Sequence, residues 1–190
     1  MLRGRLVFSS ILVRWGALAA MAGGILLVVF PLLGYVRLAV PFFGVMVVGL
    51  LLVPVGMVGF HALQRQRYGR VGIAGFCLVV ISSLVVAFGV ADYFVWGDFL
   101  QQAPPAWLGW GLVGLVIGFV LYGIATLQAK VLPRWCGVSF LVALPLALAL
   151  SFPLPLAFTP ILFGLAWLAL GYALWARRGA PVEQQPRRVR

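Results

Sequence analysis

The sequence predicts an all-α protein, a polytopic transmembrane bundle of six antiparallel helices. Three observations carry this prediction. Hydrophobic residues make up 64% of the chain and charged residues 9%, whereas soluble domains carry about 25% charged residues. The apolar residues fall into runs of about twenty, the length of helix that crosses about 30 Å of hydrocarbon. The short alternating segments of a membrane β-barrel do not appear. Backbone amides in lipid must find their partners within the segment, so the runs read as helices.

The first span is 15–36, preceded by "LVRWGAL" (12–18), where Arg14 interrupts an apolar stretch. At about 1.5 Å per residue, 15–36 already covers about 33 Å. Arg14 is therefore expected at the membrane edge, with Trp15 at headgroup level and the guanidinium reaching water and phosphate. Residues 1–14 then form an interfacial segment beside the inner leaflet. The alternative is a tilted helix starting near Leu6 with Arg14 buried against a partner. A charge at the bilayer centre costs about 2.5 kcal/mol or more, and the neighbouring sequence has no acid to offset it. Ala20 and Ala22 resemble a signal-cleavage site, but Arg14 breaks the apolar run that a secretory signal needs, so the segment is expected to be retained.

The second span, 40–63, carries Pro54 near its middle, where proline frees a carbonyl and favours a kink. The third, 71–93, ends in "ADYFVWGDFLQQ" (91–102). The fourth is 107–127. The fifth, 135–152, is short and holds Pro145, and "SFPLP" (151–155) leaves room only for a tight hairpin before the sixth, 156–175. Residues 15–178 thus read as one transmembrane domain, and 179–190 as a disordered basic tail that can touch anionic lipid headgroups.

The formal charge of +11 is distributed by loop. Arg3, Arg5 and Arg14, then Arg65, Arg67 and Arg70, then Lys130 and Arg134, then the tail arginines all fall on one side. The other side holds Arg37 with Asp92 and Asp98. This bias places both termini in the cytoplasm. The same charge in a soluble protein suggests nucleic acid. Here it marks topology, and no nucleic-acid partner is expected.

A weak internal repeat accompanies the topology. "GFHALQRQRYGRVGIAGF" (59–76) and "GIATLQAKVLPRWCGVSF" (123–140) share Gly59 with Gly123, Leu63 with Leu127, Gln64 with Gln128, Arg70 with Arg134 and Phe76 with Phe140. Both are a helix end, a basic turn and a returning helix, so the bundle reads as three hairpin-like pseudo-repeats when "VRWGAL" (13–18) and "GYALWARRG" (171–179) are included. Arg14, Arg70 and Arg134 hold equivalent places, and with Trp15 and Trp135 they are the expected inner interface anchors. Parallel repeats occur in transporters and also in proteins that only pack.

Residues able to carry chemistry are few. His61 is the lone histidine and reads as interfacial; no second axial ligand or metal spacing accompanies it. Cys77 and Cys136 lie on the reducing side and read as packing residues. No catalytic residue, metal site or cofactor is expected, since phosphate loops, zinc-protease and nucleophile-elbow motifs and buried carboxylate pairs are absent. The polar candidates are an outer rim of Arg37, Asp92 and Asp98, with Tyr93, Trp96 and Gln101 nearby. Pro54 and Pro145 could frame a midplane cavity or hinge. Small residues four apart, Gly16, Ala20 and Gly24, and Gly114 and Gly118, form ridges that let helices meet closely, within the chain or in a partner subunit.

"GIATLQAKVLPRWCGV" (123–138) and "LFGLAWLALGYALWARRG" (162–179) resemble a loose group of small bacterial multi-pass integral membrane proteins of unknown function, through an "LPRW" helix start and a "GYALW" helix end. The resemblance implies a bacterial inner membrane and transfers no site residue. Three functions remain as expectations: first a non-catalytic packing or accessory subunit, with a membrane-protein partner or a homo-oligomer; then a carrier or channel-like protein for a small apolar or amphipathic molecule; then a membrane enzyme or redox protein.

Overall fold

The computed structural model describes residues 2–35, 39–95, 106–150 and 158–177. Six helices follow one another: α1 Leu2–Tyr35, α2 Ala39–Gln64, α3 Gly69–Val95, α4 Ala106–Ala129, α5 Arg134–Leu150 and α6 Phe158–Arg177. They pack antiparallel, and the expected spans match them with only the start of the first misplaced by more than two residues. Five contain apolar stretches long enough to cross a membrane: Ile11–Val29, Gly44–Gln64, Gly69–Asp92, Ala106–Ala129 and Thr159–Arg177. The chain is therefore a multi-pass membrane protein. α5, with 17 residues, covers about 25 Å and is the short member, as the sequence predicts.

The α2–α3 and α4–α5 turns share one end of the bundle, here the basic end, with Arg65, Arg67, Arg70, Lys130 and Arg134 all exposed. Gly69 (φ 61°) starts α3, and Lys130 (φ 53°) turns the chain after α4. The Cys136 amide donates to the Pro133 carbonyl at 2.9 Å, so Pro133 opens α5. The tight hairpin expected at 151–155 and the basic tail 179–190 lie outside the described residues.

The sequence reading put a boundary at residue 14. α1 instead runs through it as one helix, because residues 6–15 contain neither Pro nor Gly to stop it. Gly16 faces Gly59 of α2, and Gly171 of α6 faces Ala20 and Met21. These registers set Arg14, which is exposed, level with the last turns of α2 and α6. Residues 2–10 then extend about 13 Å beyond the end of α2.

Each helix packs on its chain neighbours and α6 closes on α1, so the helices form a ring. The ring has two kinds of joint. A Cβ at Gly59 would meet the Gly16 Cα at 2.7 Å, and one at Gly24 would meet the Gly164 carbonyl oxygen at 2.7 Å. Likewise Gly118 faces the Val79 amide at 2.8 Å and Gly123 the Gly137 carbonyl oxygen at 3.0 Å. Backbones thus touch at α1/α2, α1/α6, α3/α4 and α4/α5. Among the described residues no glycine brings backbones of α2 and α3, or of α5 and α6, into such contact. The bundle is two glycine-locked halves, α6–α1–α2 and α3–α4–α5, joined by side chains. The small-residue ridges of α1 and α4 are consumed inside the chain.

Candidate functional site

The seam between the halves is filled by aromatic rings. Phe60, Phe163 and Trp167 come from one half and Phe119, Tyr122 and Phe140 from the other, all buried. The Phe60 and Phe140 centroids lie 5.2 Å apart, edge to face, and the Tyr122 and Phe140 centroids also 5.2 Å apart. Trp167 sits 6.0 Å from Phe60 and 5.9 Å from Phe119. Such edge contacts add about 0.5–1.5 kcal/mol each beyond burial. Six rings meet here because each sequence keeps its aromatic on the inward stripe: Phe119 and Tyr122 are three apart on α4, and Phe163 and Trp167 four apart on α6.

One turn closer to the basic end the seam becomes polar. Gln64 follows Phe60 by four residues on α2, Thr126 follows Tyr122 by four on α4, and Cys136 precedes Phe140 by four on α5. Since α2 and α4 run toward the basic end and α5 away from it, the three residues share one level, a floor one turn nearer the basic end than the aromatic layer. Gln64 is 1% exposed, Thr126 2% and Cys136 0%. Both Gln64 side-chain polar atoms, the Thr126 hydroxyl, the Tyr122 hydroxyl and the Trp167 Nε1 are buried and have no hydrogen-bond partner among the described residues. Each such group costs about 1–3 kcal/mol unless something bonds it.

Tyr68 closes the floor. It lies in the α2–α3 turn yet is 3% exposed, its ring against Gly72 and 5.8 Å from Tyr122. Its hydroxyl is hydrogen-bonded to Nδ1 of His61, whose ring stacks on Phe76 at 4.3 Å. Burial, with Cys77 adding to it, pushes the Tyr68 phenol up to about 12, so Tyr68 is a donor at neutral pH. Near the seam, Phe119, Ser139, Phe140, Phe163, Ala166 and Trp167 line part of a crevice between α4, α5 and α6 that is too narrow for a water molecule.

The sequence-derived candidates are scattered. Arg37, Asp98, Trp96 and Gln101 lie outside the described residues; Asp92 is half-buried near the end of α3. Pro54 is buried within α2 and Pro145 half-buried within α5, and neither lines the crevice. Arg14, Trp15, Arg70, Arg134 and Trp135 are exposed. Cys77 and Cys136 are free thiols, the first exposed and the second buried. No three His, Cys, Asp or Glu side chains converge among the described residues. The sequence reading missed the floor. Its signal was there: Thr126 stands four residues after Tyr122 in an otherwise apolar run, and Gln64 four after Phe60.

No protein-family model, curated protein or solved structure matches the chain. What the composition and the helices support is the class alone, a multi-pass helical membrane protein.

Proposed function

We propose that the protein is a non-catalytic binder and carrier of a small amphipathic molecule, working in a bacterial inner membrane with its basic end toward the cytoplasm. One observation supports this above the others: buried polar atoms without partners lie on helices that border a seam joining two glycine-locked halves through side chains. Backbone-to-backbone joints resist sliding, whereas side-chain joints can repack between discrete arrangements. The seam is therefore where a ligand enters and where the halves move.

Spin labels test the motion. A pair at the exposed Val58 (α2) and Ile124 (α4) straddles the seam, and a pair at the exposed Ile25 (α1) and Leu165 (α6) lies within one half. Addition of lipid-like amphiphiles to the protein in liposomes should change the first distance and leave the second. Equal behaviour of the two pairs, with no transfer of amphiphile between leaflets, contradicts the carrier reading.

A packing or accessory subunit is the second reading. The tight glycine joints favour it, since they build a rigid object. It expects a stoichiometric partner or a homo-oligomer in gentle detergent. A monomer in native membranes counts against it.

A further inference from the structure

His61 pins the α2/α3 joint at the basic end. Its ring stacks on Phe76 of α3 and is hydrogen-bonded to the Tyr68 hydroxyl, and Tyr68 in turn packs on Tyr122 of α4. Among the described residues no glycine brings the backbones of α2 and α3 together, so side chains such as these hold the joint. His61 is also the one histidine of the chain. Imidazole is the side chain whose ordinary titration falls between about pH 5 and 8.

Nothing around the ring compensates a positive charge. The ring is half-buried, and the Arg65 guanidinium, one turn further along α2, acts on it. Arg67 and Arg70 flank Tyr68, and Arg14 of α1 lies level with this end of α2. From α3 come Phe76 and the Cys77 thiol, which acts on Tyr68, and from α4 comes Tyr122. Asp92 is the one acid among the described residues, and it stands about 24 Å further along α3 than Phe76. A protonated imidazole has two N–H donors and no acceptor. The Tyr68 oxygen can meet one of them, but no carboxylate meets the other. The face of Phe76 attracts a cation weakly compared with the water that a half-buried charge gives up.

We infer that His61 and Tyr68 are a proton-operated latch on the seam. With His61 neutral they hold α2 to α3 at the basic end. With His61 protonated the ring leaves Phe76 and Tyr68 for water, and the joint loosens. The latch adds a control to the carrier reading. Its use in gating the seam rests on that reading, while the latch itself needs no cargo.

Paired spin labels on the full chain read the joint, at the exposed Val58 of α2 and Ile73 of α3, with Cys77 and Cys136 replaced. The protein sits in phosphatidylcholine nanodiscs, whose headgroups do not titrate over the range scanned, and no amphiphile is added. Between about pH 8 and about pH 5 the ratio of long to short distances should rise about tenfold, in one single-proton step. His61→Asn offers Tyr68 an amide oxygen and takes up no proton, so the step should vanish, whichever distance that variant adopts. Tyr68→Phe keeps the imidazole without the bond and should show the longer distance already at neutral pH. The pair at Ile25 and Leu165, within one half, should not respond. A wild type with one distribution over the whole range overturns the inference. So does the same step in His61→Asn, or an equal response at Ile25 and Leu165. A Tyr68→Phe distribution matching wild type at every pH overturns the part of Tyr68. The step without transfer of amphiphile between leaflets keeps the latch and removes the carrier reading. Transfer without the step keeps the carrier and removes the latch.

Discussion

Tyr68 shows how one side chain ties three elements together. It sits in a turn between arginines, yet it is buried, bonded to His61 of α2 and packed on Tyr122 of α4. Tyr68→Phe keeps the ring and loses the bond, so unfolding in detergent should show a loss of about 0.5–1.5 kcal/mol. An unchanged midpoint would mean that the hydroxyl contributes nothing. The phenol also sets a pH window. Its folded value is raised to about 12, so the folded state holds this proton more tightly than the unfolded chain. The resulting stability is fully present below the ordinary tyrosine value of about 10 and is lost as pH rises through about 12. Wild type should therefore lose its stability advantage over Tyr68→Phe across that interval, and parallel curves would contradict the assignment. The sequence could not disclose this residue's place. "QRQRYGR" reads as a solvated basic turn, and only the packing of Gly72 beside the ring makes room for Tyr68 inside.

At the scale of elements, glycine position decides which helices are locked. Gly59→Ala would press a methyl onto the Gly16 backbone, and Gly24→Ala onto the Gly164 carbonyl. Each should destabilise by about 1–3 kcal/mol, since backbone cannot step aside. Gly109→Ala, in α4 with nothing within 4 Å, should be neutral or mildly stabilising. Thermal unfolding of the three variants checks the pattern, and a Gly109→Ala loss equal to the other two would dissolve the distinction. Much of this level was legible in the sequence. Tryptophans and arginines punctuate the spans, so α2, α3, α4, α5 and α6 fall close to expectation. The Gly16–Ala20–Gly24 ridge was legible too, but not its target, because α1 turns that ridge to α2 at Gly16 and to α6 at Gly24. The repeat does not extend to these contacts: Gly59 meets the preceding helix α1, whereas its counterpart Gly123 meets the following helix α5. The start of α1 was illegible because a lone arginine marks a membrane edge without ending a helix.

For the whole molecule, the ring of antiparallel helices puts every basic turn at one end and the start of α4 at the other. The aromatic seam then separates two halves, and its polar floor lies toward the basic end. The floor was hard to see in the sequence because Gln64, Thr126 and Cys136 come from three helices, and their common level shows only once Phe60, Tyr122 and Phe140 are found in one aromatic layer. All of this presumes a bilayer crossed with the basic end inside. Single cysteines in a chain lacking Cys77 and Cys136 test that most directly, placed at the exposed Gln66, Lys130 and Ala106 and challenged in intact cells with a membrane-impermeant maleimide. The account predicts labelling at Ala106→Cys from outside, with Gln66→Cys and Lys130→Cys reacting only after the cells are opened. Labelling of Gln66→Cys from outside, or opposite behaviour of Gln66→Cys and Lys130→Cys, would contradict it.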